Sequence, residues 1–310
     1  LQQRAVGGKP MKDAAGLLLK MLGEQPDVRR KLRALWCLHV IGAADEKLLL
    51  GLLESPDEHL RSWGVRLLVD SGEVSPEALS ALEALALRDP SGLVLTYLAS
   101  ALQKLSPAGR WKLAGNLVGR EEFSSDRVLP TMIWYGIEPA VPQAPAEALA
   151  CIESSGMPKV SRYTARRLGY ELDKDSGTVS RLLELALKVP ADQRRAILSG
   201  LSQALEGWLK AEAPGSWERS RKALLELEDP ETRKLVERIG IVFTGGRGLD
   251  ELRSIAGAGR FDTATRNRAI RTLAAAADEK AWPILKRLVG DTKVGPAAIR
   301  AVASYPREDA

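Results

Sequence analysis

A stretch of eighteen residues, SPDEHLRSWGVRLLVDSG at positions 55–72, carries a pattern that recurs along the whole chain. Ser55, Pro56 and Glu58 form the capping pattern of a helix start, and Gly72 is a residue type that commonly ends a helix. Between them the apolar residues recur at the spacing of one helix face: Leu60, Trp63, Gly64, Leu67 and Leu68. Because one amphipathic helix cannot bury its apolar face alone, the stretch predicts an array of similar helices packed side by side.

Prolines that open helices recur roughly every 30 to 40 residues, with one interval about twice as long. They are Pro26, Pro56, Pro90, Pro158, Pro190 and Pro230. Leu and Ala are abundant and β-branched runs are scarce, so we expect almost no strand. The pattern predicts an all-α fold, a right-handed α-α superhelix of about eight or nine helix pairs, extending over residues 1–310 as one solenoid. Residues 121–145 contain four prolines and only a short apolar helix at 131–136. We therefore predict an irregular insertion in the solenoid at these residues.

The second helix of each predicted pair opens with Pro or Asp and carries an Arg near its start. This order is visible in PDVRRKLRALW, PDEHLRSWGVRLL and DPETRKLVERIG, which begin at residues 26, 56 and 229. The tetratricopeptide and ankyrin signatures are missing, and the chain resembles HEAT repeats over nearly its whole length. That resemblance implies a binding scaffold in which the second helices line one extended surface.

Side chains that could carry chemistry are few. The chain has two histidines and two cysteines, and it contains no CxxC, HExxH or CxxCH motif. Cys37 and His39 are two residues apart on a predicted helix, so they lie on different faces and cannot grip one metal ion together. We interpret His39 as a hydrogen-bonded core residue and His59 as an exposed first-turn residue. The sequence therefore predicts no catalytic, metal-binding or cofactor-binding residue, and a segment that is not itself an enzyme.

The charge balance is slightly basic, with 45 Lys and Arg against 40 Asp and Glu. Basic clusters recur near the starts of second helices, so they form either a stripe that attracts nucleic acid or an acidic protein, or simply a solvated face. An excess of +5 over 310 residues is small, which makes nucleic acid the less favoured partner. No apolar run reaches the roughly 20 residues that a transmembrane helix needs.

Two glycine-rich stretches, TGGRG at 244–248 and AGAGRFD at 256–262, invite comparison with phosphate-binding loops. Neither follows a predicted strand, and neither has GxGxxG spacing or a Lys-Ser/Thr pair. We predict that both are turns between helices.

The segments RALWCLHVIGA, LLLGLLESPDEHLRSWGVRLLVDSG, DPSGLVLTYLASALQKL and PTMIWYGIEPAV resemble the middle part of the PVC-type haem-binding proteins of planctomycetes and verrucomicrobia, also described as membrane-bound dehydrogenases. In that family a β-propeller precedes the helical segment and a cytochrome c domain with CxxCH follows it. The chain begins with Leu1 and shows no leader, so we expect it to be part of a longer product. The resemblance implies an exported oxidoreductase parent in the cell envelope or periplasm, with haem c held only in a missing flanking domain.

The sequence leaves two functional hypotheses. The first is a non-catalytic scaffold that docks a protein or the neighbouring domains of its own polypeptide, with these candidate contact residues: Arg33, Arg61, Arg162, Trp134 and Tyr135. For Trp134 a structural role in the core is an equal alternative. The second is a nucleic-acid-binding repeat protein similar to the HEAT-like DNA glycosylases, which would be cytoplasmic and would need a basic cleft, facing aromatic residues and a catalytic carboxylate.

Overall fold

A computed structural model describes residues 12–208, 211–243 and 247–305. Over these residues the chain forms 18 α-helices and no strand, which confirms the all-α prediction. In chain order the helices are α1 Lys12–Glu24, α2 Val28–Val40, α3 Glu46–Leu52, α4 Glu58–Leu68, α5 Pro76–Arg88, α6 Gly92–Ala101, α7 Arg110–Val118, α8 Leu129–Ile137, α9 Pro145–Glu153, α10 Pro158–Gly169, α11 Ser176–Lys188, α12 Ala191–Ala204, α13 Trp217–Glu226, α14 Pro230–Phe243, α15 Arg247–Gly257, α16 Thr263–Ala275, α17 Trp282–Leu288 and α18 Gly295–Val302.

Short polar side chains begin many of these helices. Asp27, Asp45, Ser75 and Ser91 each accept a hydrogen bond from a backbone amide of the first turn. Such caps satisfy amide groups that have no partner within the helix. They explain why local sequence predicts the helix starts closely.

The start of α4 differs from its predicted capping pattern. The N-cap is Asp57, whose Oδ1 accepts from the amides of His59 at 2.9 Å and Leu60 at 3.3 Å. Ser55 lies two residues earlier, and its hydroxyl oxygen accepts from the amide of Asp57 at 3.2 Å. The predicted Ser55 cap is therefore wrong, because the Asp side chain nearer the helix takes the free amides. Beyond the other end of α4, Gly72 has a φ of +81°, a conformation that suits glycine.

The chain divides into two compact units, Leu1–Thr164 and Ala165–Ala310, whereas the sequence predicts one solenoid with an irregular insertion at 121–145. In unit 1 the helices form two layers. The second helices α2, α4, α6 and α8 pack side by side in chain order, and the first helices α3, α5, α7 and α9 do the same. This is the packing of a helical-repeat protein, in which each pair buries its apolar face against the next.

Unit 2 repeats the arrangement of helix pairs. Each first helix packs against its own second helix, as in α11 with α12 and α13 with α14. The last two pairs, α15 to α18, share one apolar core that includes Ile270, Leu273 and Leu285. Between residues 257 and 263 the chain makes a turn between two helices, as predicted. Of the other glycine stretch, residues 244–246 lie outside the described residues.

Residues 121–145 depart less from the repeat than the sequence predicts. They contain two 3₁₀ turns, Glu121–Phe123 and Glu138–Ala140, with the complete helix α8 between them. This helix packs against α6 and α7, the position that a regular second helix takes. Gly136 allows the approach, because a Cβ atom there would lie 2.5 Å from the Cβ of Leu102. The prolines therefore shape the turns around a regular second helix instead of interrupting the array.

Candidate functional site

Aromatic side chains are exposed on the second helices of unit 1. Trp36 of α2 keeps 38% of its surface exposed, and its ring packs edge-on against Trp63 of α4 with centroids 4.9 Å apart. The guanidinium of Arg66 lies 5.0 Å from the centroid of the Trp63 ring. Their apolar-stripe positions in the sequence predict that both tryptophans are packing residues, and this is only partly correct. They pack against each other while Trp36 still faces solvent.

A groove of about 450 Å³ continues this surface across α4, α6 and α8. Its walls include Arg66 from α4, Tyr97 from α6 and Met132 from α8, and Lys104 follows α6. One turn beyond Met132 on α8, Tyr135 is 58% exposed. We define the second-helix face as the surface formed by six side chains: Trp36, Trp63, Arg66, Tyr97, Met132 and Tyr135.

His39 and Asp70 lie beside this face. His39 Nε2 is 3.4 Å from Asp70 Oδ2, and the two side chains are 38% and 52% exposed. The prediction of a core histidine is therefore wrong, because the ring leaves the apolar side of α2 for a carboxylate of the next repeat. His59 is exposed in the first turn of α4, as predicted.

Two of the candidate contact residues are exposed on the second helices. Arg33 lies one turn before Trp36 on α2, with Val40 one turn after it, so an exposed stripe runs along that helix. Tyr135 belongs to the second-helix face itself. Both positions are open to a partner, and their contact role stays a prediction.

Trp134 is a buried residue. It is 7% exposed, and its ring lies 5.6 Å from that of Tyr163. Neighbouring residues on a helix point about 100° apart, so α8 buries Trp134 while it exposes Tyr135. Of the two alternatives that the sequence leaves for Trp134, the structure supports the role in the core.

Arg61 holds the repeats of unit 1 together. Its Nε and Nη2 donate to the two carboxylate oxygens of Asp89 at 2.6 and 2.9 Å, and its Nη1 donates to the carbonyls of Ser55 and Pro56 at 2.9 and 3.1 Å. The side chains of Arg61 and Asp89 are 12% and 1% exposed. Every nitrogen of the guanidinium thus donates a hydrogen bond within the chain, which gives Arg61 a structural role.

The same relationship occurs twice in unit 2. Arg195 donates to Asp229 at 2.9 Å, and Arg266 donates to Asp291 at 2.8 Å. The hydrogen bond from each arginine lowers the pKa of its aspartate to about 2. An Arg near the start of one second helix therefore binds an Asp at the start of the second helix in the next repeat. These Arg–Asp pairs between successive repeats explain part of the recurrence of basic residues near the starts of the second helices.

Arg162 is half-buried on α10. Its guanidinium lies 5.1 Å from the ring centroid of Tyr163, and its Nε atom is buried without a hydrogen-bond partner in the described structure. The stacking gives the side chain a fixed position in the protein. Its assignment as a contact residue remains a prediction.

The thiols and carboxylates do not form a site for metal chemistry in the part of the chain that the structure describes. No group of three or more His, Cys, Asp or Glu side chains converges over these residues. Both cysteines are free, and burial raises the pKa of Cys151 to about 12, so this thiol is not a nucleophile at neutral pH. Within the same residues, each helix is too short or too polar to cross a bilayer.

Comparisons with known proteins add little to this geometry. No protein-family model matches the chain, and no curated protein sequence matches it. Among solved structures, an engineered protein has 17% identity and a TM-score of 0.41, with 94% of this chain and 88% of that chain covered. A similarity this low has no bearing on function.

Proposed function

We propose that the chain is a non-catalytic docking scaffold that binds a protein surface on the second-helix face of unit 1. The observation that carries the proposal is the groove across α4, α6 and α8, with the exposed rings of Trp36 and Tyr135 beside it. Tryptophan, tyrosine and arginine supply much of the binding energy at protein interfaces. Here they come from consecutive repeats, which matches how solenoids build extended binding surfaces.

The charges beside the face favour an acidic partner. Arg33 is exposed on α2, and Arg66 and Lys104 line the groove. The carboxylate of Asp70 also lines it, and His39 lies 3.4 Å from that carboxylate. The exposed cations outnumber this one acid, so an acidic surface with apolar side chains is the complementary partner.

The identity of the partner follows from the resemblance of the sequence to PVC-type haem-binding proteins. We infer that the chain is the spacer of a larger exported protein and that it docks the β-propeller or the cytochrome c domain of the same polypeptide. Haem c would then belong to the flanking domain, and the segment described here would position that domain. Interfaces between domains of one chain are commonly of moderate size and partly polar, which suits a groove with mixed walls.

Direct binding tests this proposal. The chain is titrated with recombinant propeller and cytochrome c domains from a PVC-type protein, and the dissociation constant is measured by isothermal titration calorimetry. We expect Trp36→Ala and Tyr135→Ala each to weaken binding roughly tenfold or more, because each removes an aromatic anchor. The matched control is Leu87→Ala on first helix α5, since Leu87 is 61% exposed but lies outside the face.

Two outcomes would contradict the proposal. Equal affinities of the Trp36→Ala, Tyr135→Ala and Leu87→Ala proteins would exclude the second-helix face as the docking surface. Binding of duplex DNA that weakens steeply as salt is added, without binding of either domain, would instead favour the nucleic-acid hypothesis.

A further inference from the structure

Unit 2 contains a concave site of its own. It is a cavity of about 620 Å³ formed by α14, the end of α15, the turn that follows it, and the start of α16. This volume lies within the range of pockets that hold small organic molecules. One wall is apolar and consists of Ile241, Ile255 and Phe261.

Two guanidinium groups line the cavity without a carboxylate partner among the described residues. The Nη2 atom of Arg238 reaches only the hydroxyl of Thr265, at 3.5 Å, and its Nε atom is buried without a hydrogen-bond partner. The guanidinium of Arg260 lies 5.0 Å from the ring centroid of Phe261. Buried donors without partners are costly, and the Arg238 guanidinium therefore has hydrogen-bonding capacity that contacts among the described residues do not use.

The carboxylates of the cavity offset its positive charge only in part, because three cationic side chains and two carboxylates line it. Asp262 caps α16, because its Oδ1 accepts from the Thr265 amide at 2.9 Å and its Oδ2 from the Thr265 hydroxyl at 2.7 Å. Lys234 also lines the cavity, and its Nζ is already paired with Oε1 of Glu231 at 2.7 Å. Glu237 is the other acid of the lining, and it lines the same cavity as Arg238 and Arg260.

Arg268 shows that positive charge accumulates in this region. Its side chain is 35% exposed and pairs with Glu206 at 3.0 Å. Burial lowers the pKa of Arg268, and the nearby charges of Arg238 and Arg271 lower it further, despite the opposing effect of Glu206. An anion bound next to Arg238 would relieve this repulsion.

We propose that this cavity binds a small organic anion, an aryl phosphate or a closely similar aryl acid. Arg238 and Arg260 hold the anionic group, since guanidinium groups form strong charge-assisted hydrogen bonds to phosphate and carboxylate oxygens. Ile241, Ile255 and Phe261 pack against the ring. The glycine-rich stretch at 256–262 thus contributes through the side chains of Arg260 and Phe261 rather than through a phosphate-cradling backbone.

The test uses the full chain and phenyl phosphate as the probe, with inorganic phosphate and phenol as comparison ligands, measured by calorimetry. Phenyl phosphate is expected to bind more tightly than either comparison ligand, because only this ligand can contact both the two arginines and the apolar wall. Arg238→Gln and Arg260→Gln should each weaken it roughly tenfold or more, the effect of losing a charge-assisted contact. The control Arg300→Gln removes one exposed positive charge from α18 of the same unit and should leave binding unchanged.

Glu237→Gln separates the proposal from a loss of folding. Removing the Glu237 carboxylate from the lining should tighten phenyl phosphate binding severalfold, a gain that a misfolded protein cannot give. The proposal is overturned if phenyl phosphate shows no saturable binding. It is also overturned if Arg300→Gln weakens binding as much as Arg238→Gln, or if Glu237→Gln does not tighten it. None of these outcomes bears on the second-helix face, so the two proposals fail independently.

Discussion

The guanidinium of Arg61 meets the carboxylate of Asp89 edge to edge, with Nε 2.6 Å from Oδ2 and Nη2 2.9 Å from Oδ1. Asp89 also accepts from the amide of Ser91 at 2.9 Å, so one carboxylate joins two successive repeats. Both side chains are largely removed from solvent. A pair of this kind fixes how one helix pair stacks on the next, because each charge loses its partner if the repeats shift.

Removal of either member should therefore destabilise unit 1. We expect Asp89→Asn and Arg61→Ala each to lower the free energy of unfolding by about 3 kcal/mol, since a buried charge is left without its partner. Urea denaturation followed by circular dichroism measures the loss. The control Arg30→Ala removes an exposed arginine from α2 and should change stability by less than about 0.5 kcal/mol.

The double variant shows whether the two residues act together. If they form one unit, Arg61→Ala combined with Asp89→Asn should cost clearly less than the sum of the single changes. Full additivity would mean that each residue stabilises the fold through other contacts, and the pair would lose its assigned role.

Acid should weaken unit 2 through its two Arg–Asp pairs. Hydrogen bonds from Arg195 and Arg266 lower the pKa of Asp229 and Asp291 from 3.8 to about 2. Each carboxylate therefore contributes stability above the unfolded pKa of 3.8, and that contribution is lost as the pH falls toward about 2. Urea midpoints measured at successive pH values across this window should fall with decreasing pH.

The matched protein is the double variant Asp229→Asn with Asp291→Asn. It should be less stable than the wild type at neutral pH, and its stability should depend less on pH through the same window, because two titrating groups are gone. An unchanged slope would show that other carboxylates account for the acid sensitivity.

Gly136 is a position where any side chain is too large. A Cβ atom there would lie 2.5 Å from the Cβ of Leu102, so Gly136→Ala forces α8 away from the end of α6. We expect a loss of about 1 to 3 kcal/mol in the free energy of unfolding, as for other overpacked cores. Gly115 is the control, because a Cβ there meets nothing within 4 Å in the middle of α7.

Gly115→Ala should stabilise the protein by about 0.5 to 1 kcal/mol, since alanine is the better helix former. Opposite signs for the two substitutions would distinguish the close helix approach from a general helix-propensity effect. If Gly136→Ala were also stabilising, the packing of α8 against α6 would have to be looser than described.

Local sequence predicts the positions of the helices well and the contacts between neighbouring helices poorly. The sequence predicts a helix over residues 76–88, and α5 spans Pro76–Arg88, because a Ser cap and a Pro at its start act within one turn. The sequence also predicts a helix over residues 192–210, which is too long at its C-terminal end. It stops at Ala204, and Gly207 has a φ of +90°; residues 209–210 lie outside the described residues.

The candidate site shows the limit of such prediction more clearly. Arg61 is predicted to contact a partner, but Asp89, which binds it, lies 28 residues away and becomes its neighbour only when the repeats stack. Trp36 fits an apolar stripe in sequence, yet it stands at the solvent edge of that stripe. Periodicity identifies the buried side of a helix, whereas the packing of neighbouring helices decides how far that side extends. For this reason the sequence does not identify Arg66 and Tyr97 as members of the second-helix face.

The two cysteines should differ sharply in reactivity. Cys37 is only half-buried on α2, whereas Cys151 is buried in α9 with its pKa raised to about 12. Because the thiolate is the reacting form, a disulfide reagent such as Ellman's reagent should modify Cys37 in the native protein and Cys151 only after unfolding. Mass spectrometry of digested protein identifies the labelled residue. Cys151→Ser should leave the native reaction unchanged and Cys37→Ser should abolish it, whereas rapid native labelling of Cys151 would contradict its burial in the core.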